Sequence, residues 1–225
     1  MQLEELQAAF QERGLQKYRA AQVYRWLHQR GAASFEEMTD LSKPLRAALD
    51  ESFELRNAEI VIRRVSKLDG TVKYLFRLND GETVESVLMQ YKHGYSICIS
   101  TQVGCRMGCT FCATGKSGFS RNLTAGEMLA EIQTAQKDLG TRISNVVLMG
   151  MGEPLDNYQN VLRFLGLVSS ENGLNIGMRH ISLSTCGLVD RIYDLADRKL
   201  QLTLSVSLHA PNDEIRSRTM PVNKK

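Results

Sequence analysis

The sequence predicts an α/β protein: a short parallel sheet, preceded by a small helical unit and a β segment. Three observations carry this. Apolar residues recur at helical spacing over roughly the first 57 positions. From Glu59 they alternate with period two. Beyond Thr124, helix-like and strand-like stretches take turns, the pattern of parallel strands covered by helices.

Composition suits such a chain. Of its 225 residues 43% are hydrophobic and 24% charged, enough for one substantial core plus an appendage. No apolar run approaches the ~18 residues of a membrane span, and Met1-Gln-Leu-Glu-Glu-Leu6 is acidic and amphipathic rather than built like a secretory signal. Five cysteines, three of them clustered, make no disulfide framework, so a reducing, cytoplasmic setting is expected. A net charge of +3 permits a nucleic-acid partner without demanding one.

In residues 1–57, Leu3, Leu6 and Phe10 mark a first helix that Gly14 stops; Val23, Trp26 and Leu27 mark a second, ended by Gly31. Ser34 with Glu37 makes a capping-box pattern, and Pro44 suits the first turn of a third helix. Lys17, Arg19, Arg25 and Arg30 crowd this unit, either as a solvated helix face or as a phosphate-contacting surface. Residues 58–92 read as a connecting β-hairpin segment, with Val72, Tyr74, Phe76 and Leu78 alternating with Lys73 and Arg77 between the turn signals Asp69-Gly70 and Asp80-Gly81.

Residues 93–225 carry the α/β part. Its first strand lies at 97–100. Thr124 with Glu127 caps a helix facing Met128, Ile132, Ala135 and Leu139. Val146-Val-Leu-Met149 is an apolar strand, 158–169 a helix, 181–184 a strand, 189–196 a helix and 202–208 a strand. About four parallel strands cannot close a barrel, and the last would be an open edge. The end, Met220-Pro-Val-Asn-Lys-Lys225, shows nothing resembling a terminal helix, and the chain reads as about the front two-thirds of a longer protein.

The chemistry centres on Gly104-Cys-Arg-Met-Gly-Cys-Thr-Phe-Cys-Ala113. Cys105, Cys109 and Cys112 in C-x3-C-x2-C spacing can hold three irons of a [4Fe-4S] cluster and leave the fourth open to a small molecule. A structural zinc site, which wants a fourth Cys or His, and unligated thiols are the alternatives. Phe111 and Met107 in the same loop are candidates to shield a cluster, or plain packing. In Gly150-Met-Gly-Glu-Pro154, glycine lets the backbone approach a ligand and Glu153 offers a carboxylate to a cationic amine; a tight turn with an exposed acid is the bland reading. Ser184 and Ser207-Leu208-His209 close the next two strands, where α/β proteins place ligand contacts. Taken alone, Cys98 is a buried small hydrophobe, Cys186 a structural residue and Glu85 an exposed strand carboxylate.

Several runs together resemble the RlmN family of radical S-adenosylmethionine (SAM) enzymes, the adenine-C2 methyltransferases of 23S rRNA and tRNA. They are Cys98-Ile-Ser-Thr-Gln-Val-Gly-Cys105, Gly118-Phe-Ser-Arg-Asn-Leu123, Asn145-Val-Val-Leu-Met-Gly-Met-Gly-Glu-Pro154, Ser182-Leu-Ser-Thr-Cys-Gly187 and Ser207-Leu-His-Ala-Pro-Asn-Asp213. Tyr18-Arg-Ala-Ala-Gln-Val23 and Met38-Thr-Asp-Leu-Ser-Lys43 are similar to the family's helical accessory domain. The resemblance implies a partial radical-SAM (β/α) barrel with about four of six strands, a [4Fe-4S] cluster on Cys105, Cys109 and Cys112, and SAM held by Gly152, Glu153, Ser184, Ser207, Leu208 and His209. It further implies Glu85 as proton acceptor and Cys98 as the thiol that releases a methyl-cysteine-linked RNA adduct by a transient disulfide. The partners implied are 23S rRNA and tRNA, with an external electron donor such as flavodoxin, no membrane, and a monomeric protein. The family's methyl-carrying cysteine falls far beyond Cys112, a place that none of the five cysteines fills, so these 225 residues are not expected to methylate RNA unaided. The Cfr-type adenine-C8 methyltransferases are the nearest competitor; a non-catalytic iron–sulfur RNA-binding fragment and a zinc module are the others.

Overall fold

The first three helices form because each places a short apolar stripe against its neighbours. A computed structural model describes residues 1–55 and 57–224. In it, α1 (Leu3–Glu12), α2 (Lys17–His28) and α3 (Lys43–Ser52) bury Leu6, Phe10, Val23, Tyr24 and Leu49. Pro44 sits in the first turn of α3, where its missing N–H costs nothing. Ser34 departs from expectation. It caps nothing with its side chain; the Glu37 carboxylate instead accepts the Ala33 N–H at 3.3 Å, and only a 3-10 turn, Phe35–Glu37, follows. The buried Phe35 and Met38 pull the chain inward too soon for a helix to propagate.

Seven strands make one sheet. β1 (Glu59–Val65), β2 (Val72–Arg77), β3 (Thr83–Tyr91) and β4 (Gly94–Cys98) run antiparallel in sequence. A separate two-stranded ribbon, β5 (Gln102–Gly104) and β6 (Phe119–Asn122), brackets the cysteine loop, which also contains the short α4 (Ala113–Lys116). Then come α5 (Ala125–Leu139), β7 (Ile143–Leu148), α6 (Tyr158–Ser169), β8 (Ile181–Thr185), α7 (Val189–Asp197) and β9 (Thr203–Val206). The order is β1-β2-β3-β4-β7-β8-β9, with β4, β7, β8 and β9 parallel. These are the four parallel strands expected, and β9 is an open edge with Leu204 and Val206 exposed.

The capping box of α5 forms as expected: Thr124 Oγ1 accepts the Glu127 N–H and Glu127 accepts the Thr124 N–H at 2.8 Å. The chain end is a correction. Asn212 Oδ1 accepts the Ile215 N–H at 3.0 Å and caps α8 (Asp213–Thr219), and a 3-10 turn spans Pro221–Lys224; Lys225 lies outside the described residues. Asp213 and Glu214 in the first turn and Arg216 and Arg218 in the last suit the helix dipole, a signal present in the sequence. Among the described residues no helix is long and apolar enough to cross a membrane.

Candidate functional site

Strand register decides what shares a face. Val87 pairs with Cys98 across β3–β4 and with Lys73 across β2–β3. Glu85 lies two residues from Val87, so Glu85, Lys73 and Cys98 project from one face of the sheet. That face is open: Lys73 and Glu85 are each half-exposed and form an ion pair at 2.7 Å. The other face is sealed by α5. There Glu131, fully buried, accepts from Ser86 Oγ and from the Ser100 N–H at 3.1 Å. Burial pushes the Glu131 carboxyl up to about 8, against the pull of those two hydrogen bonds, so it is held protonated at neutral pH. Ser100 Oγ bridges the two layers, donating to the Glu85 carbonyl at 2.7 Å and accepting the Met151 N–H at 2.9 Å.

Burial also raises the Cys98 thiol to about 11, reinforced by Glu131 and opposed by a backbone contact at Met149. Cys98 therefore rests as a thiol and needs a base, or a bound partner, before it can act as a nucleophile.

The cysteine loop is cinched at its neck. Cys105 N–H donates to the Gly118 carbonyl at 2.7 Å, and Gly104 has φ +75° with no room for a side chain: a Cβ there would lie 2.0 Å from that same oxygen. Cys105, Cys109 and Cys112 are all half-exposed on this loop. Burial raises the Cys105 and Cys109 thiols, and the neighbouring cysteines add to it, so thiolates here would repel one another until a cation joins them. Among the described residues no three His, Cys, Asp or Glu side chains converge on a single-ion position. Three cysteine sulfurs on one loop are the donor set of a cluster bound through one sulfur per iron, whereas a structural zinc ion wants a fourth Cys or His. The three cysteines thus fit an iron–sulfur cluster. Met107 is buried beside Cys186, Met220 and Val222, with Cys105 and Cys109 packed on the same small core. Phe111 is exposed and tilts against the His209 ring, 4.7 Å between centroids.

The Met149–Glu153 turn is welded to the cysteine ribbon by Gln102, a fully buried residue that the sequence reading passed over. Its Nε2 donates to Asn122 and Asp156, both at 2.8 Å, and its Oε1 accepts the Glu153 N–H at 2.9 Å. Arg106 adds an ion pair to Asp156 at 3.1 Å. Gly152, at φ +98°, leaves room for Gln102, whose Cβ would be 2.5 Å from any side chain placed there. Glu153 is buried, not exposed: Oε1 accepts the Leu155 N–H at 3.0 Å and Oε2 the Cys186 N–H at 2.7 Å. Four lone-pair positions on a carboxylate leave room for a further donor. Ser184 and Ser207 approach to 3.3 Å between hydroxyls, and His209 takes a left-handed φ of 53°, uncommon outside glycine. All the sequence-predicted residues thus gather around the C-terminal ends of β4, β7, β8 and β9, with Glu85 on the adjoining strand. Lys73 and Arg216 belong to the same neighbourhood, and neither was singled out by sequence; their roles depend on strand pairing and on a short helix without apolar periodicity. A cavity of about 410 Å³ lies elsewhere, between the N-terminal helices and α5–α6, lined by Leu6, Phe10, His28, Leu129 and Arg163, and holds none of these residues.

Comparison with known proteins agrees with this fold. Residues 99–224 match the radical SAM superfamily, and residues 1–55 match the ribosomal RNA large subunit methyltransferase N-terminal domain. The chain is 52% identical over 223 residues to a protein of Clostridium novyi named probable dual-specificity RNA methyltransferase RlmN, covering 99% of this chain and 65% of that one. A protein of the same name from Bacillus licheniformis is 50% identical over 226 residues, covering 99% and 62%. The crystal structure of a radical SAM methyltransferase from Sphaerobacter thermophilus superposes with a TM-score of 0.93 at 43% identity, over all of this chain and 67% of that one. The chain therefore spans a little under two thirds of the length of these curated relatives.

Proposed function

Because the chain belongs to the radical SAM superfamily, we propose that it forms the cofactor-binding and base-presenting portion of an RNA methyltransferase acting at C2 of adenosine in 23S rRNA and in tRNA. The observation that carries this reading is the shared open face: Glu85 lies diagonally from Cys98 on one face of the sheet, at the strand ends that also lead to the cysteine loop and the Met149–Glu153 turn.

Cys105, Cys109 and Cys112 would hold three irons, and Gly152, Glu153, Ser184, Ser207, Leu208 and His209 would hold SAM. When bound, the cluster supplies the electron that splits the sulfonium carbon–sulfur bond, which no side chain can do. Glu153, anchored by two backbone N–H groups, offers its free lone pairs to the ammonium of SAM without moving. The Ser184 and Ser207 hydroxyls, already in contact, need only rotate to reach a ligand. Glu85 is the base for the ring proton once C2 carries its new carbon, and Lys73 holds its carboxylate pointing along the open face until RNA arrives. Cys98 resolves the protein–RNA adduct; one sulfur–sulfur bond forms as the bond from cysteine to product breaks. An adenine must enter unstacked, most cheaply from a loop or single strand. Lys17 and Arg25, exposed on α2, and Arg30, exposed just past its end, are placed to meet phosphates of that RNA. A cytoplasmic, monomeric protein reduced by a flavodoxin-type donor completes the proposal.

Anaerobic reconstitution tests it. We expect iron and sulfide to be taken up, and 5'-deoxyadenosine to appear on reduction with SAM. Methyl transfer to an rRNA fragment is expected only when the segment carrying the family's methyl-bearing cysteine is supplied. A protein that stays colourless and iron-free refutes the assignment, and methylation mapped to C8 by mass spectrometry would move it to the C8 enzymes.

A further inference from the structure

Arg216, on α8, is 8% exposed. Its Nη1 donates to the carbonyls of Ser207 (2.9 Å) and Leu208 (2.6 Å), its Nη2 to the carbonyl of Cys186 (2.5 Å) and its Nε to Asn223 Oδ1 (2.8 Å). Gly187 makes room for it, since a Cβ there would stand 3.0 Å from Nη2. Every one of these acceptors is neutral, and among the described residues no carboxylate pairs with it. The fork is thus nearly saturated with hydrogen bonds while its charge stays uncompensated. A buried charge without an opposite charge costs several kcal/mol, and such charges are normally paired.

The cysteines that would carry the opposite charge with a cluster bound are close by. The cysteine loop is pinned to α8 by Thr110 N–H donating to the Thr219 carbonyl at 2.9 Å, and Met220, 3.2 Å from Nη1, sits in the small core that Cys105 and Cys109 pack against. Glu153 touches the N–H of Cys186, whose carbonyl Arg216 holds, but that carboxylate is the proposed seat of the SAM ammonium.

We propose that Arg216 is the built-in counter-charge of the iron–sulfur site: its hydrogen bonds position the ends of β8 and β9, and its unspent positive charge favours the cluster after it has gained one electron. This positioning role rests on the radical SAM reading given above. A fixed cation beside the thiolates stabilises the more negative, reduced state over the oxidised one, and a low local dielectric strengthens the effect.

The experiment is a redox titration of the anaerobically reconstituted 225-residue chain with dithionite as one-electron donor, followed by electron paramagnetic resonance. Arg216→Gln is expected to lower the reduced-to-oxidised ratio at fixed poise about tenfold, which is about 59 mV for a one-electron couple. Arg216→Lys keeps the charge and loses the fork, so it should destabilise the fold comparably while shifting that ratio by less than about threefold. Asn223→Asp keeps an acceptor for Nε and adds a negative charge; it should shift the ratio in the same direction as Arg216→Gln, and it keeps the idea testable if Arg216→Gln fails to fold. If the charge-altering variants load iron and titrate like the unaltered chain while only thermal midpoints move, Arg216 is a strut and the inference is overturned. If the unaltered chain takes up no iron, the superfamily-based reading itself fails, which is a distinguishable result.

Discussion

The two faces of β3 and β4 make opposite use of the same alternating strands. Toward α5, Val84, Ser86, Leu88, Ile97 and Ile99 are sealed, and the polar intruder, Glu131, is held neutral by burial while Ser86 and Ser100 satisfy one of its oxygens. Toward the other side, Lys73, Glu85 and Cys98 share the open face, and the carboxylate there has a cation beside it and solvent around it. Stability is concentrated on one face and chemistry on the other, and Ser100 links them through one hydroxyl.

The sharpest way to break this comparison is on the open side. Replacing Cys105, Cys109 or Cys112 with Ser is expected to abolish stable iron uptake and deoxyadenosine formation, while circular dichroism shows the sheet intact. Next, Glu85→Gln in a form able to turn over should cost at least about 100-fold in methyl transfer, the usual scale for a lost general base. Its thermal midpoint should barely move, because a half-exposed ion pair is worth about 1 kcal/mol or less. A large loss of stability in that variant would mean that the open face is not the expendable one.

On the sealed side the order reverses. Glu131→Leu strips the Ser100 N–H and the Ser86 hydroxyl of their acceptor, at about 1–3 kcal/mol for each, read by chemical denaturation. Glu131→Gln should be nearly silent at about pH 4, where the carboxyl is protonated in both states, and relatively stabilising at neutral pH. Its pH dependence follows from the sign of the shift. The carboxyl is raised in the folded protein, so its contribution is fully present below the unfolded value of 4.5 and is lost as pH rises through about 8; Glu131→Gln should flatten that decline. The smallest effect concerns Cys98: its alkylation should be slow at pH 7 and quicken up to about pH 11, and a plateau near pH 8 would contradict the burial assigned to it.

Much of this division was legible in the chain. The alternation of Val72, Tyr74, Phe76 and Leu78 marked β2, the helix α6 ends where its apolar spacing ends, and Thr124 with Glu127 marked the start of α5. Burial of the odd or even residues followed from period two. What escaped was whatever depends on partners distant in sequence. Lys73 is neighbour to Glu85 only through the β2–β3 register, Gln102 matters only because Asp156 and Glu153 return to it, and Glu131 is set apart from other helix carboxylates only by Ser86 and Ser100. Ser34 misled because a capping-box pattern is local, whereas the burial of Phe35 and Met38 is not. α8 was missed because its seven residues carry no apolar stripe, although Asn212-Asp213-Glu214 is a legible start.

The clasp between Gly104 and Gly118 bears on how metal is acquired. The ribbon closes the noose and the Thr110 N–H ties the loop to α8, so these anchors of the loop are backbone hydrogen bonds that use no thiolate. Stripping the metal with a chelator should therefore leave a native-like apoprotein that reloads readily, in contrast to small zinc domains that unravel when emptied.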